Sequence, residues 1–542
     1  MSRTDKIALV FSLLAVLVSA AVAIGIYEKL PQLEDEHALL WQARLITNGQ
    51  ITIPSPPQPQ SFFIHFIVDY RGQRSSKYPL GWPVLLSFGV CISAPWLINP
   101  LLAGLAVWLT YRLGQKLLGG KIALLAAGLT VSSPLFLTYS GSMLSHTWGL
   151  VLSLIFAISW LDAVDETNPS RCGLPTLSAG FSLGVLALSR PWTAIGVAVP
   201  FAIHGIMLLL RASPTIKKRI LSVGAIALLV GSLHFLWQYA LTGDFRTNPY
   251  LLWWPYDKIG FGINHGAAAG GHTLRQGWAN TRQSLKVASH DLFGWGKYTC
   301  VLSIIGLWAN RRNRKMWLAA SVFFSLVIVY MAYWVSGPRY FYEGLYSLTL
   351  SSAAGIAWLA GWLPRQKDRL KVFSRKAVIQ SPCPHPNPLP KGAPRRACFT
   401  NGTASSPSGG GLRWGKKTRL VNGNLVFILL IAAMLLSATT YTPARLHEIM
   451  NRYGFTQTTL EPFRSAATQK LAPALIIVHA VQWKDYGAFL YLEDPGLTTP
   501  FIFAWAAPDE DPTSELPPHF PQRAIYHYYP NEPGRLYSAP RP

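Results

Sequence analysis

IALVFSLLAVLVSAAVAIGI, residues 7–26, is a run of twenty residues without a charge, and its reading decides the fold class. A helix of that length rises about 30 Å, the thickness of a bilayer's hydrocarbon core. The run is too long, and too poorly followed by a small-residue cleavage site, to be a removable signal, so it reads as a retained first span. Similar apolar runs follow near 98–115, 121–138, 147–164, 174–189, 192–210, 220–241, 296–310, 316–335, 345–363 and 424–441. The expectation is an all-α polytopic membrane protein of about eleven transmembrane helices. Composition agrees: half of the 542 residues are hydrophobic and only 13% are charged, against about 25% in an ordinary soluble domain. The 20 Trp, 22 Tyr and 25 Phe suit aromatic belts at two membrane interfaces.

The net charge of +24 raises the question of a nucleic-acid partner, and its distribution answers it. With the N terminus cytoplasmic, the alternate segments between spans hold 27 basic residues against five acidic ones. Examples are Arg112, Lys116 and Lys121; Arg211, Lys217, Lys218 and Arg219; and Arg311, Arg312, Arg314 and Lys315. The three long segments on the other side, 27–80, 242–295 and 442–542, are close to neutral. This is the positive-inside pattern, so the excess charge orients the chain and nucleic acid drops out as a partner. The cysteines, Cys91, Cys172, Cys300, Cys383 and Cys398, show no CxxC spacing, which excludes a zinc module or a disulfide scaffold.

The chain therefore divides into a transmembrane core, 1–364, with outer loops 27–80 and 242–295; a basic cytoplasmic loop, 365–423; a last span, 424–441; and an extracytoplasmic segment, 442–542. Within the basic loop, residues 377–417 are rich in Pro, Gly and Ser, have no apolar periodicity, and read as a disordered insertion. Its PHPNPLPKG stretch resembles peptides translated from palindromic repeats of bacterial genomes, which points to a bacterial source and a functionally neutral insertion; the expected location is then the bacterial inner membrane. A proline-rich docking motif is the competing reading. The Asn401-Gly402-Thr403 sequon on the cytoplasmic side carries no consequence. The last segment has strand-like stretches at Ala474–Val478 and Thr499–Ala504, which predict a small α/β domain over the outer face, or else a docking module for an acceptor.

Chemistry is expected on the outer face, where the long loops are. Glu34-Asp35-Glu36-His37 opens a helical pattern with Leu39, Leu40, Ala43 and Ile46 on one face, ending at Asn48-Gly49. The apolar stripe suits a helix lying on the membrane surface. Its three acids fit the helix dipole; alternatively one of them is a general base for a hydroxyl or amine acceptor. Lys77-Tyr78-Pro79-Leu80-Gly81-Trp82-Pro83 breaks the chain just before the next span, where a Lys-Tyr pair would face a lipid phosphate or simply anchor the interface.

Asp35-Glu36, Ala43, Gly49, then Lys77-Tyr78-Pro79, Gly81 and Pro83 resemble, in that order, the first outer loop of C-type glycosyltransferases. The likeness is to the family 39 members akin to protein O-mannosyltransferases and lipid A aminoarabinose transferases. Ser140 to His146, Ser189-Arg190-Pro191, Asn248-Pro249-Tyr250 with Asp257 to Gly262, and Pro338-Arg339-Tyr340-Phe341-Tyr342-Glu343 are similar to later motifs of that group. The resemblance covers roughly residues 1–360. It implies an integral membrane glycosyltransferase that moves a sugar from a polyprenyl-phosphate donor to a lipid, glycan or protein acceptor, inverting the anomeric carbon. Asp35 would be the base, with Glu36 supporting it or a divalent metal. Lys77, Tyr78, Arg190, Arg339 and Tyr340 would hold the donor phosphate, and His146 and Asp257 are candidates for substrate binding. No other cofactor is implied, and membrane lipids are the expected surroundings.

Pro79-Leu80-Gly81 departs from the Pro-Pro-Gly of many relatives. His265, His272 and His290 share a loop without metal spacing, and Gly260-Phe261-Gly262 fails the dinucleotide pattern. Two other classes remain: a flippase-like polyprenyl-lipid-binding protein, which needs the cations but no base, and a secondary transporter, which needs ionisable residues at midplane that the spans lack.

Overall fold

The computed structural model describes residues 1–166, 173–362, 423–450, 452–507 and 512–541. Arg171, Cys172 and the insertion 377–417 lie outside the described residues. The helices of the core are α1 (Arg3–Gly25), α2 (Glu34–Thr47), α3 (Gly81–Cys91), α4 (Ile98–Leu118), α5 (Gly120–Val131), α6 (Pro134–Ser140), α7 (His146–Ala163), α8 (Gly173–Ser189) and α9 (Pro191–Arg211). They continue with α10 (Pro214–Gly231), α11 (Leu233–Thr242), α12 (Pro249–Trp253), α13 (Leu274–Asp291), α14 (Cys300–Ala309), α15 (Arg314–Tyr330), α16 (Leu345–Leu359) and α17 (Gly423–Leu436).

Each of the eleven expected spans overlaps a helix, although residues 296–299 and 331–335 of two of them are not helical. Among the described residues, six are long and apolar enough to cross a membrane, or seven if one bent pair counts as one span. That pair is the expected span 121–138, which is α5 and α6 meeting at 62°. The bend has a local cause. Pro134 cannot donate to a continuing helix, and Ser133 instead caps α6 by accepting from the N–H of Phe136 at 3.3 Å. The helices α8 and α14 are shorter apolar segments.

Two kinds of surface distinguish these helices. Val10, Leu13 and Leu17 of α1 and Leu221, Leu228 and Leu229 of α10 are exposed, an apolar belt far larger than water tolerates. Inside, small residues bring backbones together. A Cβ on Gly306 of α14 would lie 1.8 Å from the Ser351 carbonyl oxygen of α16, and one on Gly355 of α16 would lie 2.1 Å from that of Leu302. Ser303 and Ser352 share a hydrogen bond of 2.8 Å across the same crossing. The chain is thus a helical, multi-pass membrane architecture.

Above the helices lie two small sheets. The first outer loop forms β1 (Ile53–Pro54), β2 (Ile67–Tyr70) and β3 (Gln73–Ser76), antiparallel in the order β1-β3-β2, which the sequence reading did not foresee. The C-terminal segment forms β4 (Ala474–His479), β5 (Phe501–Ala506), β6 (Ala524–Tyr528) and β7 (Leu536–Tyr537) in the order β5-β4-β6-β7. The expected α/β character is found: β4 is parallel to both β5 and β6, and Ala474 to Val478 are fully buried, as in a central parallel strand.

Helix α2 ends as predicted, with Gly49 at a φ of +73° just beyond it. It does not, however, lie on the surface with one face in lipid. Leu39 and Ala43 join the core of the helix bundle with Trp82 and Leu86, while Ala38, Trp41 and Leu45 join the core of the C-terminal sheet. Apolar residues on both faces are the reason, since a single stripe was only half of its pattern. Arg44 seals this second contact by donating to the carbonyls of Leu490 at 3.2 Å, Tyr491 at 2.7 Å and Glu493. Gln32 donates to Phe455 O at 3.0 Å just before the helix begins.

Candidate active site

The first turn of α2 sends four consecutive side chains to four different places. Leu33 offers no side-chain cap, so Glu36, at the third helical position, reaches back to the orphan donors. Its carboxylate accepts from the N–H groups of Gln32 at 2.6 Å, Leu33 at 2.9 Å and Met143 at 2.6 Å. Burial pushes this carboxyl up to about 7, against the pull of those three donors. Glu36 therefore ties α2 to the turn before α7 and is turned to the backbone. His37 packs edge-on against Phe455 and Trp483 of the C-terminal segment, and burial pushes its imidazole down to about 3. Glu34 lies 3.6 Å from His65.

Asp35 takes the remaining direction, toward the helix ends that carry Arg190 and Arg339. Its Oδ1 accepts from the Tyr78 hydroxyl at 2.5 Å, and its Oδ2 lies 3.3 Å from Arg339 Nη1. Burial would raise this carboxyl, but the Arg339 guanidinium and the Tyr78 bond outweigh it and hold the group below the usual carboxylate range. Asp35 is ionised at neutral pH and keeps 22% of its side chain exposed.

The neighbouring residue, Lys77, is held at the end of β3 and is almost fully buried. Its ammonium lies 3.3 Å from Asp257 Oδ2. The rings of Phe66, Trp254, Tyr250 and Tyr78 surround it at 4.2, 4.8, 4.9 and 5.6 Å from their centroids. The other oxygen of Asp257 accepts from the Tyr333 hydroxyl at 3.1 Å and Trp334 Nε1 at 3.0 Å. Burial lowers the Lys77 ammonium, opposed by Asp257 and Asp35.

Arg190 precedes α9, where Pro191 starts the helix at its first position. Its Nε lies 2.8 Å from Glu343 Oε1, and its Nη1 donates to Ser145 Oγ at 3.1 Å and approaches His146 Nε2 at 3.5 Å. Arg339 opens the turn Pro338–Gly344 before α16 and lies over the ring of Tyr340, which stacks on Tyr330 at 4.7 Å.

The structure thus brings Asp35, Lys77, Tyr78, His146, Arg190, Asp257, Arg339 and Tyr340 into one cluster at one end of the helices. Glu36 borders it and faces away. The sequence reading missed Glu343 as a site residue, together with the aromatic walls Tyr250, Trp254, Tyr333 and Trp334. Glu343 stood in a quoted motif, but nothing in one sequence pairs it with Arg190, 153 positions away. The result is three ion pairs, Lys77–Asp257, Arg190–Glu343 and Arg339–Asp35. Such a cluster can bind an anionic group with three cations while keeping an ionised carboxylate beside it.

Among the described residues, no three of His, Cys, Asp and Glu meet in an arrangement that would hold a metal. His272 is engaged elsewhere, at 3.1 Å from Met331 O and stacked on Phe261.

No protein-family model matches the chain, and no curated protein matches it in sequence. Solved structures do match in shape. ArnT from Cupriavidus metallidurans bound to undecaprenyl phosphate aligns with a TM-score of 0.56 at 11% identity, over 97% of this chain and 90% of that one. Its apo state aligns at 0.53 with the same identity and coverage. The apo oligosaccharyltransferase of Archaeoglobus fulgidus aligns at 0.42 and 13% identity, over 90% of this chain and 64% of that one. The ArnT likeness establishes the fold, which this chain shares with that protein over nearly its whole length.

Proposed function

We propose that the protein is a membrane glycosyltransferase that takes a sugar from a polyprenyl-phosphate carrier and transfers it to an acceptor on the outer face of a bacterial inner membrane. The observation that carries this reading is the juxtaposition of one partly exposed, ionised carboxylate, Asp35, with one buried and two partly buried cations on a fold that, in ArnT, holds undecaprenyl phosphate. The charge distribution supports the outer placement, because the cluster lies at the helix ends opposite the exposed basic loops.

The chemistry follows from the charges. Asp35 removes the proton of an acceptor hydroxyl or amine, whose lone pair attacks the anomeric carbon from the face opposite the phosphate. The bond from that carbon to the phosphate oxygen breaks, inverting the centre. The departing polyprenyl phosphate carries the electron pair as charge on oxygen, which Arg190, Arg339 and Lys77 stabilise. A phosphate with such partners needs no acid, unlike the alcohol expelled by a hydrolase. Binding also tunes the base. A phosphate that attracts Arg339 withdraws the cation that holds the Asp35 carboxyl down, so the donor makes its own base stronger.

A flippase-like lipid-binding protein would use the same cations and have no need of Asp35. The test is therefore the lipid fraction of cells whose only copy carries Asp35→Asn. A polyprenyl-phosphate sugar should accumulate there and be absent with the wild-type copy. An unchanged lipid fraction, with the variant present at normal level, would overturn the transferase reading.

A further inference from the structure

Glu343 is a buried carboxylate that the transfer chemistry leaves without a task. It is fully buried, and its partners come from several elements. Arg190 Nε, ahead of α9, lies 2.8 Å from Oε1. His146 Nδ1, at the start of α7, lies 3.5 Å from the same atom. Gly149, one turn further along α7, makes room for it: a Cβ there would stand 2.7 Å from Oε1. Tyr330 of α15 and Tyr342 feel its charge. Neither carboxylate oxygen accepts a hydrogen bond of ordinary geometry.

A buried carboxylate so poorly solvated is held ionised by its cation. Arg190 is also one of the groups offered to the carrier phosphate. The two anions compete for one guanidinium, and the loser must move, find another cation, or take a proton. Glu343 is packed against Gly149, and the other basic group in contact with it is the His146 imidazole.

We propose that Glu343 is a proton-accepting counter-ion of Arg190, which binds a proton when a polyprenyl phosphate takes the guanidinium and releases it when the phosphate leaves. Carrier binding is then coupled to uptake of a proton from solvent. The inference rests on the phosphate-clamp reading above. Its energetics are accessible at ordinary pH, because burial already pushes the free carboxyl up to about 7, against the opposing pull of Arg190. A second anion beside it raises it further. The sign is fixed by linkage: a group whose pKa is higher in the complex strengthens binding below its free value. That gain is lost as pH rises, by about tenfold per unit between the free and bound values.

The test is calorimetry of undecaprenyl phosphate binding to the purified, full-length protein in detergent at pH 8, in buffers of different ionisation enthalpy. At that pH the phosphate has already lost its second proton, whose pKa is about 6, so it contributes little itself. The wild type should take up close to one proton, read from the slope of heat against buffer enthalpy. E343Q should take up almost none and bind with an affinity that changes less between pH 7 and 9. Glu343→Asp should retain the uptake. Lys77 and His146 are the other groups able to gain a proton; uptake unchanged in E343Q would assign it to one of them and overturn the proposal, and so would uptake lost in His146→Gln while binding survives. Binding without proton uptake in the wild type overturns the proposal alone, with no variant needed. Absence of binding overturns the phosphate clamp and the proposal with it.

Discussion

Helix α9 carries an arginine at each end, and the protein treats the two in opposite ways. Arg211, in its last turn, is exposed to solvent. Arg190, just before its first turn, is 13% exposed and paired with a carboxylate that is fully buried. The same holds across α15, where Arg314 and Lys315 at one end are exposed while Arg339 beyond the other end pairs with Asp35. Exposed cations keep their hydration and cost little, which is enough for the task of orienting spans. Taking these three ion pairs wholly or partly out of water carries a desolvation cost that their attraction must offset. Among the described residues these three pairs stand together at one end, lined by aromatic rings, an arrangement suited to an anion.

The comparison breaks if the buried end is dispensable. The largest effect is expected at Asp35: Asp35→Asn keeps size and polarity but removes basicity, and should lower turnover about 100-fold or more while carrier binding survives. Full activity would move the base elsewhere. Next is Arg339→Lys, which keeps the charge but loses the planar fork that here reaches Asp35 with one nitrogen and the Tyr340 hydroxyl with the other. A loss of about tenfold in kcat/KM is expected, and a silent exchange would reduce Arg339 to a helix anchor.

Stability sharpens the comparison from another side. Burial pushes the Glu36 and Glu343 carboxyls up to about 7 and that of Glu493 up to about 8. At these three groups the folded chain then holds more protons than the unfolded chain between their ordinary range, near 4.5, and pH 8. Stability from these groups is fully present below that ordinary range and is lost as pH rises through their folded values. Thermal unfolding in detergent should give a Tm several degrees higher at pH 5.5 than at pH 8.5. Glu36→Gln should shrink that difference more than it alters turnover. The smallest effect belongs to the exposed end, where Arg312→Ala should leave turnover within about twofold in membranes of normal orientation.

The two ends were unequally legible in the sequence. Apolar runs long enough to span a bilayer and the sidedness of charge placed the helices, because both signals are local in the chain. Asp35, Lys77, Arg190 and Arg339 could be singled out because each sits in a short motif at a span end. Their pairing could not be read, since the partners lie 180, 153 and 304 positions apart for Lys77–Asp257, Arg190–Glu343 and Arg339–Asp35. Glu36 shows the limit most clearly. In sequence it is one more acid beside Asp35, yet one residue along a helix turns a side chain by about 100°. That rotation carries its carboxylate from the cation cluster to the backbone of Leu33 and Met143. The bend between α5 and α6 was hidden within an apolar run for a related reason, because length was read before Pro134.

The most direct test of the account is the affinity of the purified protein for undecaprenyl phosphate, compared between variants at the two ends of the same helices. Arg190→Ala and Arg339→Ala should each weaken binding about tenfold or more, as expected for loss of a charge-assisted contact. Arg211→Ala and Arg314→Ala should leave it unchanged. Equal affinities in all four, or a loss confined to the exposed end, would contradict the claim that the buried cluster is where the carrier phosphate is held.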